Sequence, residues 1–222
     1  MDAITLAEVV DGVRGLLDDD QADETLIAQA ANWFQDEVCN NNKFRFMEES
    51  DTISVAQGDT TADFPDDFQS ILNLYVVSPS VSNIFDQYLN YGDFMSSYAN
   101  FAVASQAAVG TWTDYGNAMR FAAPANAATT LQLDYMKKPE HVVADSDEFV
   151  IPRNYEEILY NGTKARIMEI DEDFDEAAQI RQNMEPLMTT FIRNETRGQI
   201  KVGPNIMRTA RRGGPYRADK DF

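Results

Sequence analysis

The hydrophobic period of this chain changes twice. Apolar residues recur at three- and four-residue steps near the N-terminus, break into short runs between residues 43 and 150, and resume the helical step from Pro152. The two periods place side chains on one face in different ways, so the switch predicts helix at both ends and strand between them.

Residues 4–17 read as a first helix through Ile4, Ala7, Val10, Val13 and Leu17, ended by Asp18-Asp19-Asp20. A second spans about Ala22–Asn40, with Leu26, Ile27, Ala30, Trp33, Phe34 and Val38 as one wide apolar stripe. Asp23 and Glu24 suit its positive end. After Pro152, a third helix steps through Tyr155, Ile158, Leu159, Gly162, Ala165 and Met168 to a corner at Asp171-Glu172-Asp173. The last runs through Phe174, Ala177, Met184, Leu187 and Phe191 to Gly198, and Pro186 predicts a kink or break near Gln182–Glu185.

Between them, Asp51–Gln57, Ile71–Val77, Gly110–Thr113, Ala118–Ala122 and Thr130–Met136 read as strands. Asp114-Tyr115-Gly116-Asn117 marks a hairpin turn. Tyr91–Gln106 suits either a short helix or a loop. The expected fold class is therefore α+β, mainly α: a four-helix antiparallel bundle (1–42 and 151–198), a β-rich insertion between helices 2 and 3 (43–150), and an extended C-terminal arm (199–222).

Charge divides the chain. Residues 192–222 carry eight basic and three acidic side chains, while the remaining 191 carry ten basic and thirty-four acidic ones. An acidic body repels nucleic acid. The basic tail suits an acidic surface, including the body of a neighbouring copy; the alternative is a tail that only solubilises.

No apolar run approaches the ~20 residues that a membrane-spanning helix needs. The beginning Met-Asp-Ala-Ile-Thr lacks a basic-then-apolar leader, and Cys39 stands alone, which points to synthesis in a cytoplasm without disulfides. Chemistry-bearing motifs are wanting. One histidine, His141, and one cysteine cannot supply a zinc site by themselves. Phosphate-cradling and dinucleotide fingerprints are missing from the sequence. Asp171–Asp175 has the alternating acids of a calcium loop, but Glu176 stands where Gly is required and Gln182 where Glu is. The expectation is no catalytic, cofactor-binding or metal-binding residue and no enzyme.

Two segments carry a resemblance. The first is Lys43-Phe44-Arg45-Phe46-Met47-Glu48-Glu49 with Phe64-Pro65-Asp66-Asp67-Phe68 and the strand that follows. The second is Leu133-Asp134-Tyr135-Met136-Lys137-Lys138-Pro139, then Ile151-Pro152-Arg153-Asn154-Tyr155 and Gly162. Over roughly residues 22–190, with Gly110-Thr111-Trp112 through Pro124 as a central hairpin, the chain resembles the head–tail adaptor (connector) proteins of tailed bacteriophages. Phe64 where that family usually has Leu, Pro186 in the last helix and the Ser- and Ala-rich stretch 96–108 depart from it.

The resemblance implies a structural virion protein made in the host bacterial cytoplasm and placed in the neck between head and tail. It implies a homododecameric ring beneath the portal protein, with a tail or nozzle/tail-tube protein on the opposite face. Double-stranded DNA would pass through the channel without tight binding. It also implies an arm that docks on the portal, for which Ile200, Val202, Ile206, Met207, Arg208, Arg211, Arg212, Tyr216 and Arg217 supply apolar anchors and cations. Tyr88, Tyr91, Phe94, Tyr98 and Phe101 are candidate interface anchors. Two other readings stand beside it: another neck or tail-completion ring protein, and an acidic, metal-dependent cytoplasmic hydrolase.

Overall fold

The structure, a computed structural model, describes residues 3–196. Within them lie five α-helices and nine strands. Helix α1 (Leu6–Leu17) opens on a reciprocal cap: Glu8 N–H donates to the Thr5 hydroxyl, and the Glu8 carboxylate accepts from Thr5 N–H. It closes at Asp18, whose φ of 55° is left-handed. Helix α2 (Glu24–Asn41) is capped by Asp23, which accepts from Thr25 N–H. Helix α3 (Tyr91–Tyr98) resolves the ambiguous stretch as helix, capped by Asn90. Helix α4 (Glu156–Ile170) follows a 3-10 turn at Arg153–Tyr155, and α5 (Phe174–Glu195) is capped by Asp173.

The strands form three antiparallel sheets. Two short strands, β1 (Ile4–Thr5) and β9 (Glu148–Phe149), pair with each other. The largest sheet has the order β2 (Glu48–Val55), β8 (Thr129–Lys137), β4 (Phe68–Ser78), β5 (Ser82–Asn83). Strand β8 lies at its centre and alternates as a two-faced strand does: Leu131, Leu133 and Tyr135 are buried, with half-buried Gln132 and Asp134 between them. The third sheet has the order β3 (Thr61–Asp63), β7 (Ala118–Phe121), β6 (Trp112–Tyr115). Tyr115 pairs with Ala118 around Gly116-Asn117, and Gly116 has the positive φ, 65°, that a two-residue hairpin turn needs.

The expected four-helix antiparallel bundle does not form; the chain is a mixed α/β fold. Helix α4 packs along α1, α2 and α5, but α5 has no comparable backbone approach to α1 or α2. The reason lies in what fills the space. Phe44, Met47, Met136, Val142, Phe149 and Ile151, none of them on a long helix, enter the same core as Val9, Ile27, Phe34, Leu159 and Phe191. The helices therefore close on strand ends and loops as much as on one another.

Two buried polar residues of α2 fasten the chain on both sides of β9. Asn32 Nδ2 donates to Val142 O and Asn32 Oδ1 accepts from Val142 N–H, each at 2.9 Å. Gln35 donates to Glu140 O and accepts from Val150 N–H, each at 3.0 Å. A buried amide with both ends satisfied fixes register at little cost.

Other expectations need correction. The first helix begins at Leu6, because Ile4 and Thr5 are drawn into pairing with β9. Trp33, assigned to the buried stripe of α2, is 50% exposed. Of the kink or break expected at Pro186, no break occurs: α5 is one helix of 22 residues. A second core, centred on Leu74, Trp112, Met119, Phe121, Leu131 and Leu133, lies between the four-stranded and three-stranded sheets.

Candidate functional site

A cleft of about 540 Å3 lies at the start of β4. Phe64 and Phe68 stack within it, ring centroids 4.1 Å apart, because the Pro65-Asp66-Asp67 turn brings the strand back on itself. The Phe68 amide closes that turn by donating to Pro65 O at 3.0 Å. Trp112 stands opposite, its indole N–H donating to Ile84 O at 2.9 Å. The Tyr88 ring meets the Trp112 ring edge-on at 5.0 Å, and its hydroxyl donates to Asp114 Oδ1 at 2.7 Å. That carboxylate, with burial second, pushes the Tyr88 phenol up to about 12. Gln69, Ser70, Ile71, Phe85 and Asp86 complete the walls. Such a surface, apolar on its floor and acidic at Asp86 and Asp114, suits binding an extended or flat apolar group with a cationic neighbour.

Beside the cleft, Arg120 organises an aromatic patch. Its guanidinium lies 3.9 Å from the Tyr115 ring centroid and 5.9 Å from those of Tyr91 and Phe101. Tyr91 stacks on Tyr115 at 4.7 Å.

A second surface gathers charge. Arg166 and Arg181 both bond the Glu37 carboxylate and both bond Glu169, linking α2, α4 and α5. Burial raises the Glu169 pKa, but the bonds from Arg181 and Arg166 outweigh it and hold the carboxyl below its ordinary value. Trp33, Asp36, Glu37, Asn40 and Arg166 line a shallow depression here. His141 Nε2 lies 2.8 Å from Asp36 Oδ2, in the loop that the sequence predicts for it.

Of the five sequence-predicted aromatic anchors, Tyr88 and Tyr91 are exposed, and Tyr98 and Phe101 are half-buried. Phe94 is wholly buried, packing against Tyr98 and Phe101. It therefore positions its neighbours and does not itself face a partner. The arm residues Ile200, Val202, Ile206, Met207, Arg208, Arg211, Arg212, Tyr216 and Arg217 lie outside the described residues. Sequence reasoning missed Ile71 and Arg120 as surface-forming residues and Trp112 as the buried floor of the cleft; their signal was only an aliphatic, a cation or an aromatic amid strand residues. It missed Trp33 as well, since helical period alone places it on the core face.

Among the described residues, no three His, Cys, Asp or Glu side chains converge as a metal site requires. None of the described helices is long and apolar enough to cross a membrane. No curated protein matches the chain. The aromatic-basic run after α2, the Phe64–Phe68 turn and the Ile151–Tyr155 helix start all fall within residues 4–208, the span over which the SU10 adaptor protein family matches this sequence. The chain belongs to that family, a family of phage head–tail adaptors.

Proposed function

We propose that this chain is the head–tail adaptor that forms a homododecameric ring between portal and tail and lines the channel through which DNA leaves. The observation that carries the reading is the division of charge in an adaptor-family sequence: thirty-four acidic against ten basic side chains in residues 1–191, and the reverse balance after them. An acidic wall repels phosphates, so packaged DNA slides past it without adhering. The basic C-terminal residues dock on the portal, where Arg208, Arg211, Arg212 and Arg217 offer forked donors to carboxylates. The opposite face receives a tail or nozzle/tail-tube protein.

Like charges on neighbouring bodies oppose ring closure, so the isolated chain stays a monomer or small oligomer and the ring assembles on the portal. Light scattering of the purified chain, alone and with portal, tests this directly. The expected result is a small species alone and a large complex with portal. A stable ring formed without portal overturns the assembly order. Images of purified particles that place the chain in another neck ring or a tail-completion position overturn the adaptor reading. In gel shifts at physiological salt the chain binds DNA weakly; tight binding by a chain lacking residues 199–222 overturns the acidic-channel reading.

A further inference from the structure

Strand β4 presents part of its outer edge unpaired. Strand β5 meets it only at Tyr75 and Val76, so among the described residues no strand lies against Phe68–Asn73 on that side. The row of N–H and C=O groups on such an edge is a template for one more strand. Gln69-Ser70-Ile71-Leu72-Asn73 contains neither proline nor charge, two of the usual means of blunting an edge, and its irregularity is confined to register shifts against β8 between Phe68 and Ser70 and between Ile71 and Asn73. Gln69, Ser70 and Ile71 are also one wall of the cleft floored by Phe64, Phe68 and Trp112 and bordered by Asp86 and Asp114. The fitting ligand is an extended segment that alternates apolar and cationic side chains.

The chain's own terminus starts beside this edge. Thr196, the last described residue, pairs with Phe44. A depression of about 250 Å3 lined by Asn40, Asn41, Asn42 and Lys43 runs on to Gln69 and Ser70, and Gln69 Nε2 donates to Asn40 Oδ1 at 3.0 Å. Gln69 and Ser70 line both hollows, so the two adjoin at these residues, and Lys43, next to the Phe44 that Thr196 pairs with, lines the nearer one. Twenty-six residues follow Thr196. Extended, they reach about 86 Å, so length does not limit them. Their sequence has the required chemistry: Gln199-Ile200-Lys201-Val202 alternates with period two, and residues 199–222 carry six basic and two acidic side chains.

We propose that the β4 edge and its cleft are the seat of this chain's own residues 199–217, which add along Gln69–Asn73 as a further strand. Apolar side chains of the segment lie on Phe64, Phe68 and Trp112, and its cations face Asp86 and Asp114. The contact is intramolecular and precedes any partner, so its failure leaves the ring and portal reading standing.

Amide hydrogen exchange tests it. In the intact chain the Gln69–Asn73 amides exchange at least tenfold more slowly than in a chain ending at Gly198, while the Leu131 and Leu133 amides of β8 are unchanged. The difference holds over a hundredfold range of protein concentration. Adding a 199–222 peptide to the shortened chain restores the protection. Should the shortened chain lose its β8 protection as well, the full-length Asp86→Lys variant decides instead: its edge protection falls while its β8 protection stays, and an unchanged edge overturns the proposal. Equal edge exchange in intact and shortened chains overturns it as well. Protection that grows with concentration overturns it too, by assigning the seat to the segment of a second copy. So does protection that appears only when portal is added.

Discussion

The Phe34 ring of α2 occupies the space that a side chain on Gly162 of α4 would need: a Cβ there would lie 2.2 Å from Phe34 Cζ and 2.3 Å from both Cε atoms. Phe34 is 1% exposed, so the ring has nowhere to turn. Gly162→Ala therefore forces α2 and α4 apart at the centre of the helical core. Overpacking of this kind costs about 3 kcal/mol, roughly 6–12 °C in melting temperature for a chain of this size. Calorimetry checks it, and a variant within 2 °C of the parent contradicts the close approach.

Gly15 of α1 supplies the opposite case. It is exposed, and no atom lies within 4 Å of where its Cβ would be. Gly15→Ala removes backbone freedom from the unfolded chain without a clash, and stabilises by about 0.5–1 kcal/mol. The melting temperature rises by roughly 1–4 °C. A fall would show that α1 needs flexibility at that turn.

Much of this architecture was legible. The α2 helix with Asp23 at its positive end, its apolar stripe apart from Trp33, the Gly116-Asn117 turn and the strand β8 each have a local physical cause and lie within a few residues of where the sequence puts them. That no bundle forms was not legible, because period reveals which face of a helix is apolar and not what covers it. The inner face of α5 shows this: Phe191 stacks on Phe44, 4.7 Å away, and meets Tyr155 at 4.5 Å, so a loop and a 3-10 turn take the place of another helix. The cleft was hidden for a related reason. The Phe64–Phe68 turn, Tyr88 and Trp112 come from three separate segments, and only the tertiary fold brings them together.

The Glu37–Arg166–Arg181–Glu169 network ties α2 to α4 and α5, with side chains about a third exposed. Single surface pairs contribute little, but two guanidiniums sharing two carboxylates lose less side-chain entropy per bond. A double-mutant cycle on Glu37→Gln and Arg181→Met gives a coupling of about 0.5–1 kcal/mol at low salt. It falls by about half or more in 1 M salt, where the Debye length is ~3 Å. Coupling that ignores salt would mean that the aliphatic stems, and not the charges, hold the helices together.

Cys39 is wholly buried. Burial, with the Asp36 charge second, pushes its thiol up to about 12. At pH 8 the folded protein then holds about one thiolate in ten thousand, against roughly a quarter for an ordinary cysteine. A disulfide reagent accordingly labels the native chain only at the rate of its opening, and reacts at once in denaturant. Rapid labelling of one equivalent under native conditions would contradict the packing of α2.

The last prediction concerns Glu8, which joins the first turn of α1 to the entrance of α4. Both its oxygens accept from Arg153 Nη2, at 2.8 and 2.7 Å, and the same nitrogen donates to Ala3 O at 2.8 Å. The bond from Arg153, followed by that from Thr5 N–H, holds the Glu8 carboxyl at about 2, below its ordinary 4.5. A depressed folded-state pKa makes the charged form a stabilising one. That stability is fully present above the unfolded value near 4.5 and disappears as pH falls from there to about 2. Glu8→Gln isolates the charge, because glutamine in this position still accepts from the capping N–H. The variant therefore melts below the parent by a constant margin from pH 7 to pH 5, and the margin closes between pH 4.5 and about 2. Melting curves at fixed ionic strength across that range check it. Arg153→Lys, which keeps the charge but loses the planar guanidinium, shows a smaller margin with the same pH dependence. A margin for Glu8→Gln that stays the same at every pH would leave no part for the charge of Glu8 in the stability of the fold.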